Sequence, residues 1–223
     1  MLTALSQLNV ELTSRCSKAT KCHMCGHQSA EINPALNFGD MDFAMVVSIE
    51  RQIESGVIVS LHRDGEPTDY PRLGDALRVF SKHPVSIVTH GELLSQKADE
   101  IIDNCTSVTV SVIPKDPDRE LQLESVAAFL AKKGSRRPMV QIKCLGNVQN
   151  LEPYEKLGIP ITNRPLHSRL GNWTYTSPPK RPEIAVCLDF LSRPTVDWRG
   201  RVFSCNRLDT SDAGLIGDLN TQS

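Results

Sequence analysis

Asn9-Val-Glu-Leu-Thr-Ser-Arg-Cys16, followed by Cys22, His23, Met24 and Cys25, is the stretch from which the rest of the chain is read. A short apolar run over residues 8–12 opens directly into a loop whose three cysteines are spaced C-x5-C-x2-C. Thiolates are the ordinary ligands of iron–sulfur clusters, which usually take four of them. Three in one loop hold three irons of a [4Fe–4S] cube and leave the fourth open to a substrate or cofactor, as chemistry at that iron requires. Zinc is the alternative, because His23 or His27 completes a Cys3His tetrahedron, a common structural set.

The 223 residues suit one domain with a sizeable core, or one domain plus a small appendage. A hydrophobic fraction of 39% and a charged fraction of 23% describe an ordinary soluble protein with no apolar run long enough to span a membrane. Residues 1–8 lack the basic start and apolar stretch of a secretory signal. Seven cysteines, odd in number and not arranged as a disulfide framework, point to the reducing cytoplasm. A net charge of −1 argues against sequence-independent nucleic-acid binding, which needs a basic face. Lys132, Lys133, Arg136 and Arg137 lie together, and such a run is more often a solvated helix end than a binding patch.

Beyond the first run, short β-branched segments alternate with longer amphipathic ones. Strands are expected at 8–12, 57–61, 85–89, 107–113, 139–145 and 159–163, and helices at 42–55, 73–82, 96–104, 119–132 and 151–157. Six such β/α units in sequence imply a parallel sheet with right-handed crossovers, curled into an open partial (β/α)6 barrel of the TIM type. Chemistry in such sheets gathers on the loops that leave the strand ends. The polar motifs of this chain lie there. The cysteine loop follows the first strand, and His62-Arg-Asp-Gly-Glu-Pro67 follows the second, with Glu66 suited to bind an ammonium group. Thr89-His-Gly91 ends the third strand, and Ser111 on the fourth offers a hydroxyl at the same rim. Singly, Glu66 also reads as a helix cap, Thr89 to Gly91 as a turn and Ser111 as a plain strand serine. Four polar motifs ending four consecutive strands make a shared ligand the better reading.

These motifs resemble the radical S-adenosylmethionine (SAM) superfamily over nearly the whole chain: Glu11-Leu-Thr13 ahead of a three-cysteine loop, Gly65-Glu66-Pro67 after the second strand, and a Thr-Asn-Gly-like turn after the third. The resemblance implies that Cys16, Cys22 and Cys25 ligate a [4Fe–4S] cluster whose unique iron is chelated by the methionine moiety of SAM. It further implies that Gly65 and Glu66 hold the SAM amino group, that Ser111 and Thr89 face its ribose or carboxylate, and that Met24 packs near the adenine. The implied activity is reductive cleavage of SAM to methionine and a 5′-deoxyadenosyl radical, with a low-potential flavodoxin or ferredoxin as electron donor. Two departures stand out. The family loop is commonly C-x3-C-x2-C with an aromatic residue before the last cysteine, where this chain has two more residues and Met24, and His90 stands where the family commonly has Asn.

The last third carries a second signal. Cys187 is followed by twelve residues, Gly200, four residues and Cys205, with 195–203 reading as a β-hairpin around Arg199-Gly200. This is similar to the first half of the auxiliary-cluster region called SPASM, or its shortened form called Twitch, and residues 214–220 resemble the segment that follows. Pro178, Pro179 and Pro182 mark a linker, giving a barrel at 1–177 and an appendage at 178–223. The sequence ends at Ser223, before the cysteines that would complete an auxiliary cluster, so Cys187 and Cys205 are read as ligands of a second iron–sulfur cluster, as a cluster-free remnant or truncated region, or as a structural zinc pair. Cys144 is the internal candidate for a further ligand, and Cys105 reads as a buried residue at a helix end.

The expectation is therefore a cytoplasmic radical SAM oxidoreductase that abstracts hydrogen from a peptide. A small molecule or nucleotide is the alternative substrate, and a zinc or iron–sulfur binding module without catalysis is the alternative function.

Overall fold

The computed structural model describes residues 5–19, 21–22, 37–165, 192–206, 212 and 214–221. Six parallel strands follow one another across the sheet: β1 (Gln7–Val10), β2 (Ile58–Leu61), β3 (Val85–Thr89), β4 (Ser107–Val112), β5 (Met139–Leu145) and β6 (Ile161–Arg164). The crossovers carry α1 (Phe43–Gln52), α2 (Leu73–Val79), α3 (Ala98–Ile101), α4 (Arg119–Lys133) and α5 (Glu152–Glu155). This is the partial barrel that the alternation predicts, and no helix among the described residues is long and apolar enough to cross a membrane.

Strand alternation sorts the two faces. Val85 and Ile87 of β3, Val108, Val110 and Val112 of β4, and Val140, Ile142 and Cys144 of β5 are buried beneath the helices, with Phe80, Val126 and Phe129 in the same core. The alternate residues, Ser107, Thr109 and Ser111 on β4 and Gln141 and Lys143 on β5, take the opposite, concave face. Gln141 donates to Thr109 Oγ1 across that face at 2.9 Å.

The hairpin is present as β7 (Thr195–Val196) and β8 (Arg201–Phe203), antiparallel, with β9 (Leu215–Asp218) antiparallel to β8. Its position was not foreseen. β7 pairs in parallel with β1, so the order is β6-β5-β4-β3-β2-β1-β7-β8-β9 in one sheet. The basic run forms the exposed C-terminal end of α4, with Lys132 paired to Asp99 and Arg136 to Asp103. The expected helix at 96–104 is reduced to the four residues of α3.

Candidate functional site

The cysteine loop leaves the barrel at Thr13–Ser14, and its base is closed by the chain returning at Gly39–Met41. Thr13 bridges Asp40, Ser14 N–H donates to Gly39 O at 2.9 Å, and Met41 N–H donates to Leu12 O at 2.7 Å. Between Cys16 and Cys22 the backbone coils into a compact turn, with Ala19 N–H donating to Cys16 O and Cys22 N–H to Lys18 O at 3.0 and 3.2 Å. The described residues between them, 17–19 and 21, are thus taken up in a turn, and both cysteines stay half-buried at the rim. Met24, Cys25, His23 and His27 lie outside the described residues, as do Cys187 and the proline linker.

The loop lies across the ends of three strands. From the turn after β2, Glu66 N–H donates to Arg15 O at 2.8 Å and Asp69 Oδ2 accepts from Ser17 N–H at 2.5 Å. The Gly-Glu pair is needed here for a steric reason: a Cβ on Gly65 would sit 1.9 Å from Thr13 O and 2.7 Å from Ser14 Cα. From the turn after β3, His90 Nδ1 accepts from Glu92 N–H at 3.1 Å, which assigns the ring proton to Nε2, and Nε2–H donates to Ser17 Oγ at 3.2 Å. From the segment after β4, Asp116 and Asp118 meet Lys18 and Lys21.

Glu66 serves in two ways. Its Oε1 caps the 3-10 turn Pro67–Asp69 through Thr68 N–H and Thr68 Oγ1, at 3.0 and 2.6 Å, while Oε2 accepts from His90 N–H at 2.8 Å. The carboxylate therefore ties the end of β2 to the end of β3. Thr89 Oγ1 accepts from Gly91 N–H at 2.9 Å, the turn reading of that segment, and Gly91 takes a φ of 87° that a Cβ could not share with Val110. Ser111 is on the concave face of β4, in register with Lys143 of β5, which is in register with Thr162 of β6.

Four residues of this region escaped the sequence reading. Gln122 is fully buried on the inner face of α4. Its Nε2 donates to His90 O at 2.5 Å and Ser111 O at 3.0 Å, and its Oε1 accepts from Tyr154 Oη. One amide thus sets the spacing of two expected SAM-contacting elements; its only sequence signal is a glutamine on the apolar stripe with Val126 and Phe129. Lys143 has no ion pair among the described residues, and burial followed by the Arg164 charge pulls its pKa below the ordinary lysine value. Asp69 joins Cys16 and His90 in a set whose ligand atoms all lie within 4.8 Å of one another. Lys18, only 3% exposed, pairs with Glu92 and, at 2.6 Å, with Asp116; burial works to lower its pKa, but these two carboxylates outweigh it and raise it.

A thiolate turn at the rim, with a neighbouring strand turn pressed onto its backbone, fits ligation of a cluster by Cys16 and Cys22. The Cys16, Asp69 and His90 donors also suit a single divalent ion. Glu92, Asp116 and Asp118 form a second close set, but Lys18 and Lys21 already meet their charge. Cys144 is corrected. It is fully buried on the helix-facing side of β5, its thiol pKa pushed up by burial, and β4, β3, β2, β1 and β7 stand between β5 and the strand that leads to Cys205. It is a core cysteine. Cys105 is buried as expected, its thiol donating to Val85 O and Ser107 O and its pKa pushed up to about 12 by burial.

No family model and no curated protein sequence matches the chain. Among solved structures it is similar to BtrN in complex with AdoMet and 2-DOIA, at 16% identity and a TM-score of 0.58 over 100% of this chain and 81% of that one. It is similar to BtrN in an open conformation at 18% identity and a TM-score of 0.52, over 100% and 78% of the two chains. It is also similar to Streptococcus suis SuiB bound to S-adenosylmethionine, at 13% identity and a TM-score of 0.60, over 91% of this chain and 60% of that one. The chain shares the fold of these structures, a partial (β/α) barrel followed by a small β-hairpin appendage. Within that fold, β7–β9 form the small antiparallel appendage, and the turn at 197–200 seats on the base of the cysteine loop. Trp198 packs on Gly39, where a Cβ would lie 2.4 Å from the indole, and Trp198 N–H donates to Glu11 Oε2 at 3.4 Å. Buried Glu11, Arg63 and Asp197, flanked by half-buried Asp64 and Arg201, form an ionic group behind this turn, with Arg63 stacked on Phe203. Burial above all, opposed by Arg63 and reinforced by Asp64, pushes the Glu11 carboxyl up to about 7.

Proposed function

We propose that the chain is a radical SAM enzyme: Cys16, Cys22 and Cys25 hold a [4Fe–4S] cluster, SAM binds at its unique iron, and a substrate in the barrel mouth loses a hydrogen atom. The observation that carries this reading is the meeting of the cysteine turn, Glu66, the His90 turn and the end of β4 at one rim. Once bound and reduced, the cluster supplies the electron that splits the sulfonium C–S bond of SAM into methionine and a 5′-deoxyadenosyl radical.

The protein's own share is binding and orientation. A carboxylate has about four acceptor positions. Thr68 and His90 use three on Glu66, which leaves one for the SAM ammonium. Thr89 and Ser111 keep hydroxyl protons to donate towards ribose, Gly65 brings backbone close, and Met24 contributes an apolar face for adenine. Lys143, beside Ser111 and with no ion pair among the described residues, supplies the counter-charge for the methionine carboxylate. The barrel at 1–177 performs this work, β7 of the appendage at 178–223 pairs along its β1 edge, and a low-potential flavodoxin or ferredoxin delivers the electron.

The substrate we propose is a peptide, since appendages of the resembled kind occur in peptide-modifying enzymes. A small molecule is the second reading, favoured by the match over the full chain to a BtrN structure holding 2-DOIA. Iron, sulfide and zinc analysis of anaerobically reconstituted protein, with 5′-deoxyadenosine measured under reductant, tests the function. About four irons per chain are expected, or about eight if Cys187 and Cys205 hold an auxiliary cluster, falling to about four in the Cys187→Ala/Cys205→Ala variant. One zinc and no iron would remove the enzyme reading. Iron and bound SAM without 5′-deoxyadenosine would leave a silent relative.

A further inference from the structure

We propose that Lys18 is a positioning residue that pins the cysteine loop to the ends of β3 and β4 before any cluster is bound. The inference rests on the cluster reading above and concerns how this chain manages a Cys16–Cys22 spacing two residues longer than the pattern it resembles.

Lengthening a loop between two ligands adds conformations in which they do not point at a common centre, and a site is effective only when its supports are locked. Here the additional length contains the support. Lys18 sits at the middle of the compact turn, its carbonyl accepting from Lys21 N–H and Cys22 N–H at 3.0 and 3.2 Å. Its ammonium passes under the loop into a space where the Lys18 side chain is 3% exposed, Asp116 1% and Glu92 11%. Asp116 is itself fixed, accepting from Asp118 N–H at 3.0 Å, and Glu92 follows the His90–Gly91 turn. The pin thus joins the cysteine turn to two elements that Gln122 already holds in register.

Lys21 makes a similar pair with Asp118 at 2.8 Å, but its side chain is 48% exposed. Exposed pairs contribute little, whereas removing one partner of a buried pair leaves the other charge stranded. Glu92 and Asp116 lie at the rim, so lifting the loop returns them to water. The penalty for losing Lys18 therefore falls on loop opening and not on barrel unfolding, and Lys21 serves as the internal control.

The experiment is amide hydrogen exchange of the cluster-free protein, paired with iron uptake on anaerobic reconstitution and the urea midpoint of the barrel. For Lys18→Met, the amides of Ala19, Lys21 and Cys22 are expected to exchange at least roughly tenfold faster, with slower iron uptake and an unchanged urea midpoint. Lys21→Met should match wild type, and Lys18→Arg, whose fork can meet both carboxylates, should restore protection. Wild-type protection and iron uptake in Lys18→Met would overturn the proposal, as would equal losses in Lys18→Met and Lys21→Met. If Lys18→Met does not fold, Glu92→Gln replaces it with the same two readings at smaller amplitude. A wild type that takes up no iron defeats the cluster reading, while the exchange comparison still decides the pin.

Discussion

Gly65→Ala is the substitution for which the structure gives the most direct magnitude. A Cβ at this position meets backbone, with Thr13 O at 1.9 Å and Ser14 Cα at 2.7 Å, and neither can rotate away. Restoring ordinary contact requires the turn after β2 to withdraw from the cysteine loop by more than about 1 Å, an overpacking that typically costs about 1–3 kcal/mol. The retreat stretches the 2.8 Å bond from Glu66 N–H to Arg15 O beyond bonding range and leaves a buried donor unmet, adding about 1–3 kcal/mol. The total is about 2–6 kcal/mol. Gly134→Ala is the comparison: nothing lies within 4 Å, so its cost is the backbone strain of φ 55° and ψ −126° alone, about 1–3 kcal/mol, with SAM affinity unchanged. Urea denaturation of the cluster-free proteins measures both, and SAM binding to reconstituted protein reports whether Glu66 has left its place. A Gly65→Ala variant within about 1 kcal/mol of wild type with unchanged SAM affinity would refute the backbone approach on which the site is built.

Glu66→Gln should weaken SAM binding roughly ten- to hundredfold with iron content kept. Because an amide presents a donor to either Thr68 or His90, about 1–3 kcal/mol of stability should go with it, and loss of stability alone in a urea titration would reduce Glu66 to a support of the fold. Glu11 makes a pH prediction. Its folded pKa of about 7 stands above the ordinary carboxyl value of 4.5, so the native state binds more protons between these values. The contribution is complete below about pH 4.5 and is lost as pH rises through 7, by about 3 kcal/mol in all. Glu11→Gln should therefore gain on wild type by about that amount between pH 4.5 and 8, and parallel stability curves would sink the assignment.

The six strands were legible because parallel strands buried on one face beneath helices leave β-branched runs such as 85–89 and 107–112, each bounded by a turn. The helix at 96–104 is shorter than its apolar spacing suggests: that spacing continues through Ile101 and Ile102, but the helix ends at Ile101, where Ile102 turns extended at ψ 132° and Asp103 follows at φ 66°. Strand-end motifs were legible as candidates, because loops leaving parallel strands are where ligands gather. What they touch was not. Lys18 and Asp116 are 98 residues apart, and a lysine in a cysteine loop carries no mark of burial. Gln122 spoke only as a polar residue on an apolar stripe. Hairpin chemistry around Gly200 fixed local pairing, but nothing local says that β7 docks in parallel on β1.

That docking changes what the appendage does for the barrel. The turn of the hairpin presses Trp198 onto Gly39, and Arg199 reaches Asn37 O at 3.5 Å, while Gly200 lies so close to Met45 that a Cβ would be 2.7 Å from its terminal carbon. These contacts fall on the returning limb of the cysteine loop and on α1, on either side of the Thr13–Asp40 bridge that closes the loop's base. Meanwhile the outgoing limb is held by Gly65–Glu66, Asp69, His90 and Lys18. A loop supported on one limb by barrel turns and on the other by the hairpin has both ends fixed, which is what presenting three thiolates to one centre demands. The hairpin thus has a structural reason to be present whether or not Cys187 and Cys205 bind a second cluster, and the buried Glu11–Arg63–Asp197 group is the electrostatic part of the same joint.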